Sequence, residues 1–248
     1  MSPRVVPPPV AASPLSILDA FARGPRWIFH RPKFAFAALA LVFLVVVLFA
    51  GTSLVPGAAF ATVPLALLVA GPFCGALSHL TLRAWRGETP RLRELPREGW
   101  SRFGALFLAF AFVLGLTILA AIPGAGLVAF GLHAGGQVQD FTPSVAGWLA
   151  AGWFGGGALM LLPAAFYGFA PTLVLERGLG VGDALRLSRR TMALHPWRAV
   201  GFAGCCLVVI LAGLLLAGLG FFVALPWVLG ARAHVHDLSF GPRHAFAE

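Results

Sequence analysis

Charge is scarce in this sequence. Only 11% of its 248 residues are charged, 59% are hydrophobic, and mean hydropathy is +0.88. Soluble domains carry about 25% charged residues and about 45–50% apolar ones, so the composition excludes an ordinary soluble domain. Three long stretches, Phe34–Leu82, Phe103–Glu176 and Ala199–Ala231, hold no lysine or arginine. Cysteine is nearly absent: Cys74, Cys205 and Cys206 all fall in apolar runs. An odd number without a spacing pattern provides neither a disulfide framework nor a zinc site. The adjacent pair reads as small residues at a helix interface.

Catalytic and cofactor motifs are missing too. There is no H-E-x-x-H and no G-x-S-x-G. Gly178, Gly180 and Gly182 match neither G-x-G-x-x-G nor a Walker loop, and no strand precedes them. They read as a flexible connector, and no cofactor is expected. Ser78 and His79 are adjacent and cannot pair as nucleophile and base on one helix. In Arg232–Asp237, "RAHVHD", His234 and His236 diverge by about 200° on a helix, so no metal site is expected. The membrane interior is read as free of Asp, Glu, Lys and Arg, with Asp140 and Glu176 at its edges and His79 near the end of the second span. Ion-coupled transporters need such groups at depth, which argues against one but leaves open a passive or lipid-handling protein.

What is present is apolar length. Phe34–Val55 and Phe103–Ile122 exceed the roughly 18 residues that mark a transmembrane helix. The fold class is therefore all-α, a polytopic transmembrane helical bundle. The excess of 18 Lys+Arg over 9 Asp+Glu could signal nucleic acid. Its distribution points to topology and anionic lipid instead, and nucleic acid is not expected as a partner.

The cations fall in four segments: Arg4–Lys33, Arg83–Arg102, Arg177–Arg198 and Arg232–Arg243. Positive segments stay cytoplasmic, so each stretch between them should leave the cytoplasmic side and return. This gives six spans, about 34–55, 58–82, 103–131, 145–175, 199–217 and 219–236, with both termini cytoplasmic. Gly51–Gly57 would turn the first pair, and His133–Ser144 would link the second outside. Ala199–Ala231 is short for two spans; Gly218-Leu219-Gly220 offers a break. The alternative is five spans with the C-terminus outside. The single transmembrane domain would cover 13–241, between a Pro-rich disordered tail at 1–12 and a tail at 242–248. "AFA" at Ala59–Ala61 sits too late for a typical signal-peptide cleavage site, so none is expected.

The first three basic segments look interfacial. Each approaches an apolar run with Trp beside Arg or Lys, so Trp27, Trp100 and Trp197 are expected as interfacial anchors. "LDAFARGPRWIFHRPKF" and "GDALRLSRRTMALHPWRAV" share an Asp-Ala start, arginines and a His close to Pro. This permits a threefold repeat of interfacial helix and hairpin, against coincidence in an Arg/Ala/Leu-rich chain. In Val181–Leu194, helical spacing puts Val181, Ala184, Leu185, Ser188 and Met192 on one face. Asp183, Arg186, Arg189 and Arg190 fall on the other. Such a basic amphipathic helix suits the headgroup layer.

The segment from Ala170 to Gly241 carries a resemblance. "APTLVLERGLGVGDALRLSRRTMALHPWR" followed by "LPWVLGARAHVHDLSFG" resembles an uncharacterised family of bacterial polytopic membrane proteins. Related modules are YciC-like inner-membrane proteins and the membrane region of some glycerophosphodiester phosphodiesterases. The matching residues are Ala170-Pro171, Ala184, Leu185, Ser188, Pro226 and His236-Asp237. His stands where the family has Tyr, and its following Arg is missing. The resemblance covers about a third of the chain and implies a six-helix module of the bacterial inner membrane, without catalytic residues.

The expected function is a non-enzymatic membrane protein acting as an interaction or lipid-organising module. Arg186, Arg189, Arg190, Arg91, Arg93 and Arg97 would contact headgroups of anionic lipid, and a membrane-protein partner is possible. The alternative is a permease-like carrier of a lipid or small apolar solute. A continuous cavity near Gly155–Gly157 and Pro72 would favour the carrier; a filled bundle would favour the module.

Overall fold

The computed structural model of the chain describes residues 16–30, 59–91, 93–137, 143–215 and 220–241. The expected span at 34–55, its turn at Gly51–Gly57, both tails and the Gly218-Leu219 break lie outside them, as does part of the His133–Ser144 link. The described residues are helical and contain no strand. In chain order the helices are α1 (Ile17–His30), α2 (Ala59–Trp85), α3 (Glu94–Ser101), α4 (Phe103–Gln137) and α5 (Pro143–Tyr167), then α6 (Ala170–Arg177), α7 (Val181–Met192), α8 (Pro196–Leu215) and α9 (Phe221–Phe240).

Local chemistry sets several of these boundaries. Ser16 begins α1, its hydroxyl oxygen accepting the Asp19 backbone N–H at 3.3 Å, which satisfies one orphan donor of the first turn. Pro143 and Pro196 open α5 and α8 at the position where a missing N–H costs nothing. Gly178 ends α6 in the left-handed region, φ 66°, and Gly180 precedes α7 in an extended conformation. The glycines thus make a two-helix corner, as a connector should, and Asp183 occupies the first turn of α7.

Three segments are long and apolar enough to cross a membrane: Phe103–Ala134, Pro143–Arg177 and Pro196–Gly213. The second joins α5 and α6 through Gly168. Large apolar side chains along them lack protein cover, including Leu108, Ile118, Leu119 and Ile122 on α4, Phe154 on α5 and Val208 on α8. Contiguous apolar surface of this kind is a liability in water and normal against lipid.

α4 and α5 pair along most of their length. Their contact is built from backbone: a Cβ on Gly124 would stand 2.7 Å from the Gly152 carbonyl oxygen, and one on Gly152 would meet the Gly124 carbonyl oxygen at 2.7 Å. Gly152 and Gly156 form a small-x-x-x-small face, which lets two helices approach closely where apolar solvent provides no hydrophobic drive. Ala199–Ala231, the short stretch, contributes to two helices rather than one. α8 leaves from Pro196, and α9 returns against it and against α1 and α2.

The main core gathers Leu106 of α4, Phe169, Leu173 and Val174 around α6, and Phe202, Ala231, Val235 and Phe240 of α8 and α9. It also takes Ala184, Leu185, Leu187 and Met192 of α7. This corrects the expectation for α7. Its apolar face is used inside the protein, against these neighbours, and is not a surface inserted among lipids. The basic face is the one left outward.

Candidate functional site

Three helix C-termini converge at one end of the bundle. Arg86, just beyond α2, lies 2.6 Å from Glu176 of α6 and 2.7 Å from Asp237 of α9. Arg86 also reaches the Gly241 carbonyl at 3.5 Å, Arg177 donates to the Phe240 carbonyl, and Arg102 donates to the Val174 carbonyl at 3.4 Å. The last carbonyls of a helix lack intrahelical donors, and its dipole is negative there. Arginines at this junction answer both needs. Burial opposes the Arg86 charge, but the Asp237 hydrogen bond and the Glu176 charge outweigh it and hold its pKa above the ordinary value.

Glu176 is only 3% exposed. Its second oxygen lies 3.2 Å from His236 Nε2, and His236 packs against Phe169 and Phe240. Glu176 stands at the end of the apolar segment Pro143–Arg177, at the edge where it is expected, and there it is the buried centre of the junction. His234 turns the other way, onto Trp85, so the two histidines diverge as helical spacing requires.

A second polar cluster ties α3 to α2. Arg83 pairs with Glu88 at 2.7 Å, Glu94 at 3.0 Å and Glu98 at 2.9 Å, and His79 Nδ1 lies 2.6 Å from Glu98. The Glu88 hydrogen bond leads in holding the Arg83 pKa above its usual value. The Arg91 backbone N–H donates to Glu94 at 3.0 Å, and that bond leads in holding the Glu94 carboxyl below its ordinary range. Arg91, Arg93 and Arg97 are exposed and line an open groove of about 400 Å³ together with Glu94, Glu98 and Ser101. The acidic neighbours offset part of their charge, which a tally of cations alone does not reveal.

Arg186, Arg189 and Arg190 are all exposed on α7. Trp197 is 85% exposed at the start of α8. It borders an apolar groove of about 480 Å³ with Gly155, Gly156 and Pro123. Trp100 is 63% exposed and stacks on Phe103 at 5.0 Å. The backbone of Trp27 belongs to α1; its side chain lies outside the described residues.

The sequence reading placed Arg232 with the C-terminal charges, at the boundary. The structure puts it in the wall of a cavity of about 410 Å³ between α5, α8 and α9. The other walls are almost wholly apolar, among them Gly157, Leu161, Phe202, Cys206, Ile210 and Val228. Arg232 donates through Nη2 to the Gly168 carbonyl and lies 5.2 Å over the Phe169 ring. Among the described residues it forms no ion pair. A cation removed from water at such a place costs several kcal/mol, roughly, unless a counter-charge arrives. Arg232 stands five positions before Asp237, about 7.5 Å along α9 from the polar junction.

Gly157 lines this cavity, whereas Gly155 and Gly156 line the separate groove. Pro72 is fully buried and lines neither. Among the described residues the cavity and the groove are therefore two separate spaces.

No protein-family model, curated protein or solved structure matches this chain.

Proposed function

We propose that the chain is a non-enzymatic multi-pass membrane protein that organises lipid around its basic end. The reading includes six spans, both termini on the cytoplasmic side of a bacterial inner membrane, and kinship with the YciC-like modules that Ala170–Gly241 resembles. One observation carries it. α7 commits its apolar face to the core and leaves Arg186, Arg189 and Arg190 exposed, beside the junction where α2, α6 and α9 end. Apolar helix sides flank that end, so lipid covers the sides and anionic headgroups meet the arginines. Each cation near such a surface contributes about 1 kcal/mol. Arg91, Arg93 and Arg97 add to the same attraction, reduced by Glu94 and Glu98.

The test is the lipid that leaves the membrane with the protein. Arg186→Gln, Arg189→Gln and Arg190→Gln together should lower the ratio of anionic to zwitterionic lipid several-fold while the detergent-solubilised bundle keeps its melting temperature. An unchanged ratio would refute the lipid-organising role. The Arg232 cavity favours a second reading, a permease-like carrier of a lipid or small apolar solute. Flux of such a solute into proteoliposomes would establish it.

A further inference from the structure

We propose that the cavity between α5, α8 and α9 binds one long-chain carboxylate amphiphile of the fatty-acid class, with its headgroup on Arg232 and its tail along α8. The inference rests on the membrane reading above, which supplies such ligands, and it names what the cavity takes.

Charge is the first argument. A guanidinium has five N–H donors in a planar fork that matches a carboxylate with two parallel bonds. Arg232 uses Nη2 on Gly168 and makes no other hydrogen bond among the described residues. Its remaining nitrogens are not sealed in packed protein, since none is a buried atom without a partner. Arg232 lines the cavity, and among the described residues no carboxylate pairs with it. The nearby carboxylates are already engaged: Glu176 and Asp237 pair with Arg86, and Glu176 also with His236. Arg232 is also the single charged residue among the described residues of the cavity wall. One cation suits a monoanion and falls short of a phosphate dianion.

Shape is the second argument. The wall runs along α8 from Ala199 to Ile210, about 16 Å at 1.5 Å per residue. Away from Arg232 its described lining is apolar apart from Thr117, and Met160 and Leu207 of that lining are partly exposed. The volume of about 410 Å³ lies within the range of small-ligand sites. One cation in an otherwise largely apolar, elongated wall suits a single-chain amphiphile.

The experiment uses the full chain in a non-ionic detergent and a C18 fatty acid with a fluorescent polyene tail. Its methyl ester and an alkyl phosphate of equal length compete for the site. The acid should bind at least tenfold more tightly than the ester. Arg232→Gln should abolish that preference while leaving ester binding in place. Gly157→Phe should block both acid and ester; a Cβ at Gly157 meets nothing within 4 Å, so the ring enters open space without disturbing the helix. Equal affinity for acid and ester, retention of the preference in Arg232→Gln, or tighter binding of the phosphate would each overturn the proposal. Such a result with the anionic lipid shell intact defeats this site alone. Release of the chain from membranes by alkaline carbonate would instead defeat the membrane reading beneath it.

Discussion

The Arg86 guanidinium lies 2.6 Å from the Glu176 carboxylate, joining the end of α2 to the end of α6 across ninety positions of chain. The same guanidinium holds Asp237 of α9 at 2.7 Å. Three helices that are distant in sequence are therefore fixed at one end by one side chain. Because Glu176 is buried, losing Arg86 strands a negative charge in the interior. Arg86→Gln should cost about 3–5 kcal/mol. The double variant Arg86→Gln/Glu176→Gln should recover part of that loss. Thermal unfolding in detergent reads both; strictly additive losses would show that the contact carries no coupling.

The α4–α5 contact makes a packing prediction. At Gly124 and Gly152 the partner is backbone rather than a flexible side chain, so the neighbour cannot rotate away. Gly152→Leu should force the hairpin apart and destabilise it by at least the ~1–3 kcal/mol typical of overpacking. Gly155→Leu, at a position with open space, should be tolerated. Melting temperatures of the two variants separate the cases, and equal tolerance would contradict the close crossing.

Acid should loosen α3 through Glu94. Its carboxyl titrates below the ordinary value of 4.5, held there first by the Arg91 N–H and then by Arg83. A depressed folded pKa contributes stability above the unfolded value, and that stability is lost as pH falls through the folded one. The stability gap between the natural chain and Glu94→Gln should thus be present at neutral pH and close on acidification below 4.5. Amide exchange of α3 across this range would show it; a gap that widens in acid would contradict the assignment.

Topology can be read with reporter fusions at Gly135, near the end of α4, and after the C-terminus. α9 ends beside the α2 terminus through Arg86 and Asp237, whereas Gly135 lies at the far end of the 35-residue α4. On the proposed six-span reading the two reporters lie on opposite sides of the membrane, with the C-terminus cytoplasmic. Reporters on the same side would refute the six-span arrangement.

Much of this was legible in the sequence because its signals are local. Helix type follows from apolar length, corners from Gly178 and Gly180, and the two faces of α7 from residue spacing. The direction each face looks was not legible. An apolar stripe beside arginines fits a lipid surface or a protein core equally well, and only the packing of Leu185, Leu187 and Met192 against α5, α6 and α9 decided for the core. The burial of Glu176 and the surroundings of Arg232 were not legible for a related reason. Each sits close in sequence to other charges, but its surroundings come from helices many positions away.

The sequence by itself determined that the chain is helical, that its apolar segments are long enough to cross a membrane, and that its cations are confined to a few segments. Composition and periodicity carry these properties, and neither needs a partner residue. Only the tertiary structure decided that Glu176 is a buried junction, that Gly124 and Gly152 meet backbone to backbone, and that Arg232 lines a cavity with no ion pair among the described residues. Burial and pairing belong to sets of residues brought together by the fold, and no single stretch of sequence contains the set.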